Sequence, residues 1–286
     1  MTTWNEAEPP VLPRAALPRR IVGGARAGGM VVFTLLLFGP YVLGKWIARL
    51  GGPNLHHRVQ WIWARLGLFL CGLTLRVEGQ RMPHGGALVA NHASWLDIFA
   101  LLGPGRINYV AKSEVRRWPV IGYIADVCGT MFVERKPAAA KRQQGEMLAR
   151  IQAGQLLCFF PEGTSTDSLR VLPFKSSLFG VFMSEELRDA VWVQPVTVVY
   201  DPPPGLPAAL YGWWGDMPFG KNIWDVATQS FGGLVTLIFH APCRAAEFAD
   251  RKALAQTCGQ AVAAGMDEWR ARNPRQPDPN AAATTA

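Results

Sequence analysis

The chain is short of charge, and of acid in particular. Charged residues make up 17% of its 286 positions, under the quarter or so usual in soluble domains, so part of the surface faces something other than water. Asp and Glu number 21 against 29 Lys and Arg. The resulting charge of +8 favours anionic partners: nucleic acid, anionic lipid, or acidic and phosphorylated substrates. Cysteine is scarce too. Cys71, Cys128, Cys158, Cys243 and Cys258 form an odd set with no Cys-x-x-Cys pair, which argues against a disulfide framework and reads as reduced, mostly buried thiols in a cytoplasmic setting. The five histidines include no pair at ligand spacing, so no metal site is expected. Zinc-finger spacing and aromatic RNA-binding motifs are missing, which sets nucleic acid aside. No Gly-x-Ser-x-Gly elbow occurs, and the common serine-hydrolase arrangement goes with it.

Apolar residues are plentiful, at 49%, and tryptophans number 11. Indole rings collect where membrane meets water, and basic residues near apolar segments point to a lipid surface. Residues 1–29 form a basic segment rich in Pro, Ala and Arg, with Arg14, Arg19, Arg20 and Arg26. The run from Met30 to Leu50 follows; as a helix it would extend about 31 Å, close to a bilayer core. Gly39-Pro40 should kink it. A second apolar stretch, Trp61 to Leu75, is short and interrupted by Arg65, which suits an interfacial or re-entrant helix. Cations flank the first helix on both sides, so the positive-inside rule picks no orientation. A membrane-anchoring hairpin over 30–75 that dips in and returns fits better than a single span. Two buried helices of a soluble core are the bland alternative. Gly39-x-x-x-x-Gly44-Lys45 looks like a phosphate-binding loop, but Trp46 follows and the run lies inside the apolar helix, so it is set aside.

From residue 73 the pattern alternates. Strand-like runs fall at 73–79, 87–90, 107–112, 130–134, 155–160, 191–199 and 234–240, with helical stretches at 93–103, 138–153, 178–189, 222–230 and about 246–270. This predicts an α/β domain over 76–270, a mixed, mainly parallel sheet covered by helices on both faces. The Pro- and Asn-rich residues 271–286 should be a disordered tail.

Chemistry concentrates in Val89-Ala90-Asn91-His92-Ala93-Ser94-Trp95-Leu96-Asp97. Residues five apart in a regular helix are rotated by about 140° and do not face each other. His92 and Asp97 meet only if His92 sits just outside the helix and its ring folds back over the first turn. The carboxylate would then take the Nδ1 proton and leave Nε2 as a base. A capping or packing histidine is the bland reading. Ser94 could be a nucleophile, but a serine at a helix start is more often a cap. A second motif, Phe160-Pro161-Glu162-Gly163-Thr164, ends a strand. Gly163 there permits a positive φ.

Together these two motifs resemble those of the glycerolipid acyltransferases, the family of the lysophosphatidate acyltransferases. Gly129–Arg135 resembles the family's second block and Val193–Val198 its fourth; residues 111–122 also look familial. The resemblance covers roughly 75–240. It implies a membrane-bound acyltransferase that moves a fatty acyl group from an acyl thioester to a lysolipid hydroxyl, with His92 as general base and Asp97 orienting it. It implies acceptor-binding roles for Arg135, Glu162, Gly163 and Thr164, with possible support from Asn91, Ser94, Lys112 and Lys175. No cofactor is implied. The co-substrate would be acyl-CoA or acyl-acyl carrier protein, drawn in by Lys112, Arg116, Arg117, Lys141 and Arg142. The catalytic domain would face the cytoplasm on the inner membrane. For Arg135 and these other basic residues, a solvated face is the bland alternative. The family commonly reads Glu-Gly-Thr-Arg-Ser in its third block; here Ser165 stands in place of the arginine. Serine cannot replace a guanidinium's bidentate grip on phosphate, unless Arg170 or Lys175 compensates. Lysophosphatidate leads on family breadth, lyso-ornithine lipid is the other acceptor, and a thioesterase-like hydrolase or non-catalytic lipid-binding protein are the readings of another class.

Overall fold

The computed structural model describes residues 4–134 and 137–274. Eight strands among them form one sheet in the order β1-β7-β6-β2-β5-β3-β4, with β8 pairing β6. They are β1 (Leu73–Gly79), β2 (Gly86–Ala90), β3 (Asn108–Lys112), β4 (Met131–Val133), β5 (Leu156–Phe159), β6 (Trp192–Asp201), β7 (Gly233–Phe239) and β8 (Cys243–Arg244). Pairing is parallel except where β6 meets β7 and β8. The sheet is therefore mixed and mainly parallel, as the alternating pattern predicts.

Helices cover both faces, which is why the strands read as continuous apolar runs. The two-residue period of β2 shows the division. Leu88 and Ala90 join a core with Leu68 of α2 (Leu55–Leu70) and Phe99 of α3 (Asp97–Leu102). Ala87 and Val89 join the opposite core, with Met147 of α5 (Pro137–Gln152) and Leu254 of α8 (Arg251–Arg272). The remaining helices are α1 (Leu17–Arg49), α4 (Ile121–Val127), α6 (Glu185–Arg188) and α7 (Phe219–Gln229).

The N-terminal region departs most from the hydropathy reading. α1 starts at Leu17, not Met30, and runs through Pro40, a helix about 50 Å long at 1.5 Å per residue. Its first half packs on α7. The Arg26 guanidinium donates to the Ser230 carbonyl at 2.7 Å and lies 4.0 Å from the centre of the Phe231 ring. Its second half is apolar and outward-facing, with Leu35, Leu36 and Trp46 more than half exposed. α2 returns along it. A Cβ at Gly44 would lie 2.8 Å from the His56 nitrogen, so glycine at this position lets the two helix backbones approach closely. The Trp63 indole donates to Thr34 Oγ1 at 3.0 Å and closes the pair.

Residues 4–13, inside the segment read as merely basic, strap over the α/β domain. Trp4 is buried and packs against Trp214, whose indole donates to the Ala7 carbonyl at 2.9 Å. At the other end, α8 continues through Arg272, which pairs with Glu78 at 2.9 Å. The first residues of the expected tail are thus helical; 275–286 lie outside the described residues.

Candidate active site

Three neighbouring parallel strands deliver the site. β3, β5 and β2 lie side by side, and their carboxyl ends carry Lys112, Phe160–Gly163 and His92. Such ends and the loops after them are where α/β sheets place ligands.

The helix after β2 begins at Asp97, not at Ser94. Residues 91–96 turn instead, and the Asp97 carboxylate reaches back over them. Its Oδ2 accepts from His92 Nδ1 at 2.6 Å, from the Ala93 N–H at 2.8 Å and from the Ser94 N–H at 3.0 Å. Its Oδ1 accepts from the Tyr200 hydroxyl at 2.7 Å. A fully buried carboxylate is tolerated only when its lone pairs are met in this way. The bond to Nδ1 leaves Nε2 as the free ring nitrogen. The ring stacks on Phe160, with centroids 4.0 Å apart and planes 15° from parallel. About a quarter of the side chain is open, at 23%.

The backbone of His92 is held from the third block. Its N–H donates to Glu162 Oε2 at 2.7 Å, and its carbonyl accepts from the Thr166 N–H at 3.0 Å. Glu162 Oε1 accepts from the Leu172 N–H at 2.7 Å. Both Glu162 oxygens are therefore spent on main-chain donors, and the side chain is 1% exposed. Burial pushes this carboxyl up to about 8, against the pull of its two N–H donors and of Lys175.

The other expected residues divide. Asn91 makes a two-way bond with Val198 of β6, donating at 2.9 Å and accepting at 2.8 Å. Ser94 is buried and its hydroxyl accepts from the Leu96 N–H at 3.4 Å, which makes it a turn residue rather than an open nucleophile. Gly163 has φ of +69°, a conformation that favours glycine. Lys112 Nζ donates to its carbonyl at 2.7 Å, and Lys175 Nζ would lie 3.0 Å from a Cβ placed there. The structure thus brings two ammonium groups to one glycine. Thr164 lies under the strap and accepts from the Trp4 N–H at 3.3 Å. Arg135 lies outside the described residues; β4, just before it, runs parallel to β3. Ser165 donates to the Trp213 carbonyl. Arg170 is engaged by Asp167, at 2.8 Å, and by the Trp4 ring, so only Lys175 of the two suggested substitutes faces the turn. Tyr200, Phe160 and Trp4 are the residues that sequence reasoning missed. Each sits where an ordinary core residue would, and only the strand-end position of Phe160 carried a signal.

The acyltransferase family model matches residues 74–199. A lyso-ornithine lipid O-acyltransferase of Rhodobacter capsulatus is 45% identical over 204 residues, 71% of this chain and 74% of that protein. A 1-acyl-sn-glycerol-3-phosphate acyltransferase of Neisseria gonorrhoeae is 37% identical over 113 residues, 38% of this chain and 43% of the other. The crystal structure of the 1-acyl-sn-glycerophosphate (LPA) acyltransferase PlsC from Thermotoga maritima superposes with a TM-score of 0.66 at 21% identity, covering 89% of this chain and 98% of that one; it shares the fold. With the blocks in order and the long match at 45% identity, the chain belongs to the acyltransferase family of the lysophosphatidate and lyso-ornithine lipid enzymes.

Proposed function

We propose that this acyltransferase esterifies the free hydroxyl of lyso-ornithine lipid with an acyl group from acyl-CoA or acyl-acyl carrier protein. His92 Nε2 takes the hydroxyl proton as the oxygen attacks the thioester carbonyl. The C–S bond then breaks, and the thiolate leaves with the proton from the imidazolium. No acyl-enzyme is needed. Asp97 fixes the tautomer, and Glu162 braces the backbone from which the ring projects. The observation that carries this reading is the 2.6 Å bond between Nδ1 and Asp97, which leaves Nε2 as the nitrogen to meet a substrate.

The sequence alone ranks lysophosphatidate first. Two observations favour reversing that order. The lyso-ornithine relative matches over most of both chains, the phosphate-specific one over less than half. In the third block, Ser165 bonds a carbonyl and brings no charge. The pair Lys112 and Lys175 suits a singly charged carboxylate such as ornithine's, since ammonium groups act as point charges without the guanidinium fork. Acyl thioesters are cytosolic, so we place the catalytic domain on the cytoplasmic face of the inner membrane, with α1 and α2 holding it there. The helix α1 is long and apolar enough to cross.

Presented with one donor and a panel of lysolipids, the enzyme should turn over lyso-ornithine lipid at least tenfold faster than lysophosphatidate at equal concentration. The reverse ranking would restore the phosphate acceptor. His92→Ala should lower kcat by about 10²–10⁴-fold with the folded state retained, at some cost in stability because Asp97 loses one of its donors; near-normal turnover would remove its role as base. Lys175→Ala should raise KM for lyso-ornithine lipid a few-fold, the worth of about 1 kcal/mol for an exposed charge, and leave KM for the donor alone.

Tyr200→Phe should lower kcat by roughly 10- to 150-fold, the loss of one hydrogen bond to a charged group worth about 1.5–3 kcal/mol. An unchanged kcat would reduce Tyr200 to packing.

Glu162 supplies a pH test of stability. Its folded value, about 8, lies above the ordinary 4.5. The stabilisation it brings is therefore complete below the ordinary value and is lost as pH rises through 8. In detergent, the melting temperature should fall between pH 5 and 8, and Glu162→Gln should flatten that slope while lowering stability by about 1–3 kcal/mol.

A further inference from the structure

The segment joining β3 to α4 displays apolar groups that the fold leaves uncovered. Trp118 is 44% exposed, Val120 66%, Ile121 41% and Tyr123 64%. Scattered apolar residues are normal on a surface, but a contiguous patch with a polar rim marks an interaction site. Arg117 is exposed at its edge, and Arg116 is held there by Asp126 at 3.1 Å. The tip is also strained. Val120 has φ of +63° and ψ of −56°, and the Ile121 N–H donates to the Pro119 carbonyl. That is a γ-turn of the rare, strained kind, occupied by a β-branched residue that keeps two-thirds of its surface in the open.

The patch continues another surface. The Tyr123 ring lies 5.9 Å from Phe38 of α1, and Lys45 of α1 donates to the Val127 carbonyl at the end of α4. The outward apolar stripe of α1, with Leu35 and Trp46, therefore runs on into Tyr123 and Ile121. In the other direction the segment hangs directly from Lys112, whose ammonium sits at Gly163 in the site.

We infer that residues 116–123 form a second membrane-contacting ledge, seated in the headgroup layer of an anionic bilayer beside α1, which holds the mouth of the site against the lipid that supplies the acceptor. Arg117 faces the lipid phosphates and Trp118 the interface, positions that suit a guanidinium and an indole. The inference rests on the reading of the acceptor as a bilayer-resident lysolipid.

The test uses the full chain in vesicles of phosphatidylglycerol and phosphatidylethanolamine. Tyr123→Cys and, separately, Leu35→Cys carry an environment-sensitive fluorophore, and unsubstituted protein taken through the same labelling sets the background. Emission from both positions should shift to the blue on vesicles and be quenched by brominated lipid. A label at 123 that stays open to iodide while the one at 35 is shielded overturns the ledge and spares α1. If neither label is shielded, the membrane reading of α1 fails with it. Shielding at 123 that appears only with acyl carrier protein, or only as protein concentration rises, assigns the patch to the carrier or to a second copy and overturns the proposal. In turnover, the double variant Val120→Asp, Ile121→Asp should lose at least tenfold on long-chain acceptor in vesicles and keep wild-type rates on a monomeric short-chain acceptor. Equal loss on both would also overturn it.

Discussion

The structure turns on one buried carboxylate. Asp97 has no exposed surface, and an unpaired charge in such a place costs several kcal/mol. Four donors meet it: the His92 ring, two main-chain N–H groups and the Tyr200 hydroxyl. Each constrains a different element. The N–H groups force residues 93 and 94 out of the helix, which is why α3 starts as late as it does. The hydroxyl ties the loop to β6. What is left over is the orientation of the imidazole, set by the bond from Nδ1 to Asp97.

The two sequence motifs need each other for a reason that spacing alone does not reveal. β2 and β5 are parallel neighbours, so their carboxyl ends emerge together. Glu162 then grips the main chain at His92 and at Leu172, and Thr166 grips it from the other side. A glutamate aimed at backbone donors leaves no signature of its partners, because every residue but proline has an N–H. The resemblance implies an acceptor-binding role for Glu162, and the two main-chain bonds are a contribution of the side chain that the sequence gives no sign of. Tyr200 was illegible for a related reason: on a strand buried on both faces it looks like one more large core residue. By contrast, strand positions and the His92–Asp97 pairing were legible, since a two-residue period and a covered sheet constrain composition, and since a five-residue separation left only one geometry in which the two side chains could meet.

The N-terminal region was the least legible part. Hydropathy finds the half of α1 that faces outward and passes over the half that packs on α7, because Arg19, Arg20 and Arg26 lower its score. Yet a guanidinium can cap carbonyls and cover an aromatic ring at once, and Arg26 does both. One helix thus joins two surfaces, the half that packs on α7 and the half whose apolar side chains face outward. The strap is harder still to foresee. Trp4 meets Thr164 and Trp214, contacts between distant positions with no local pattern to announce them.

The third block argues acceptor chemistry by subtraction. A phosphate monoester carries close to two charges and three strong acceptor oxygens, and a guanidinium answers them in pairs. Here Ser165 donates to the Trp213 carbonyl, and Arg170 is paired with Asp167 and lies over the Trp4 ring. Serine and the Arg170–Asp167 pair instead form a closed set that anchors the strap. Two lysines reach this turn, Lys112 donating to the Gly163 carbonyl and Lys175 passing beside the glycine. In this chain the loop after β5 thereby helps to hold the N-terminal strap in place, through Thr164 and Arg170 against Trp4.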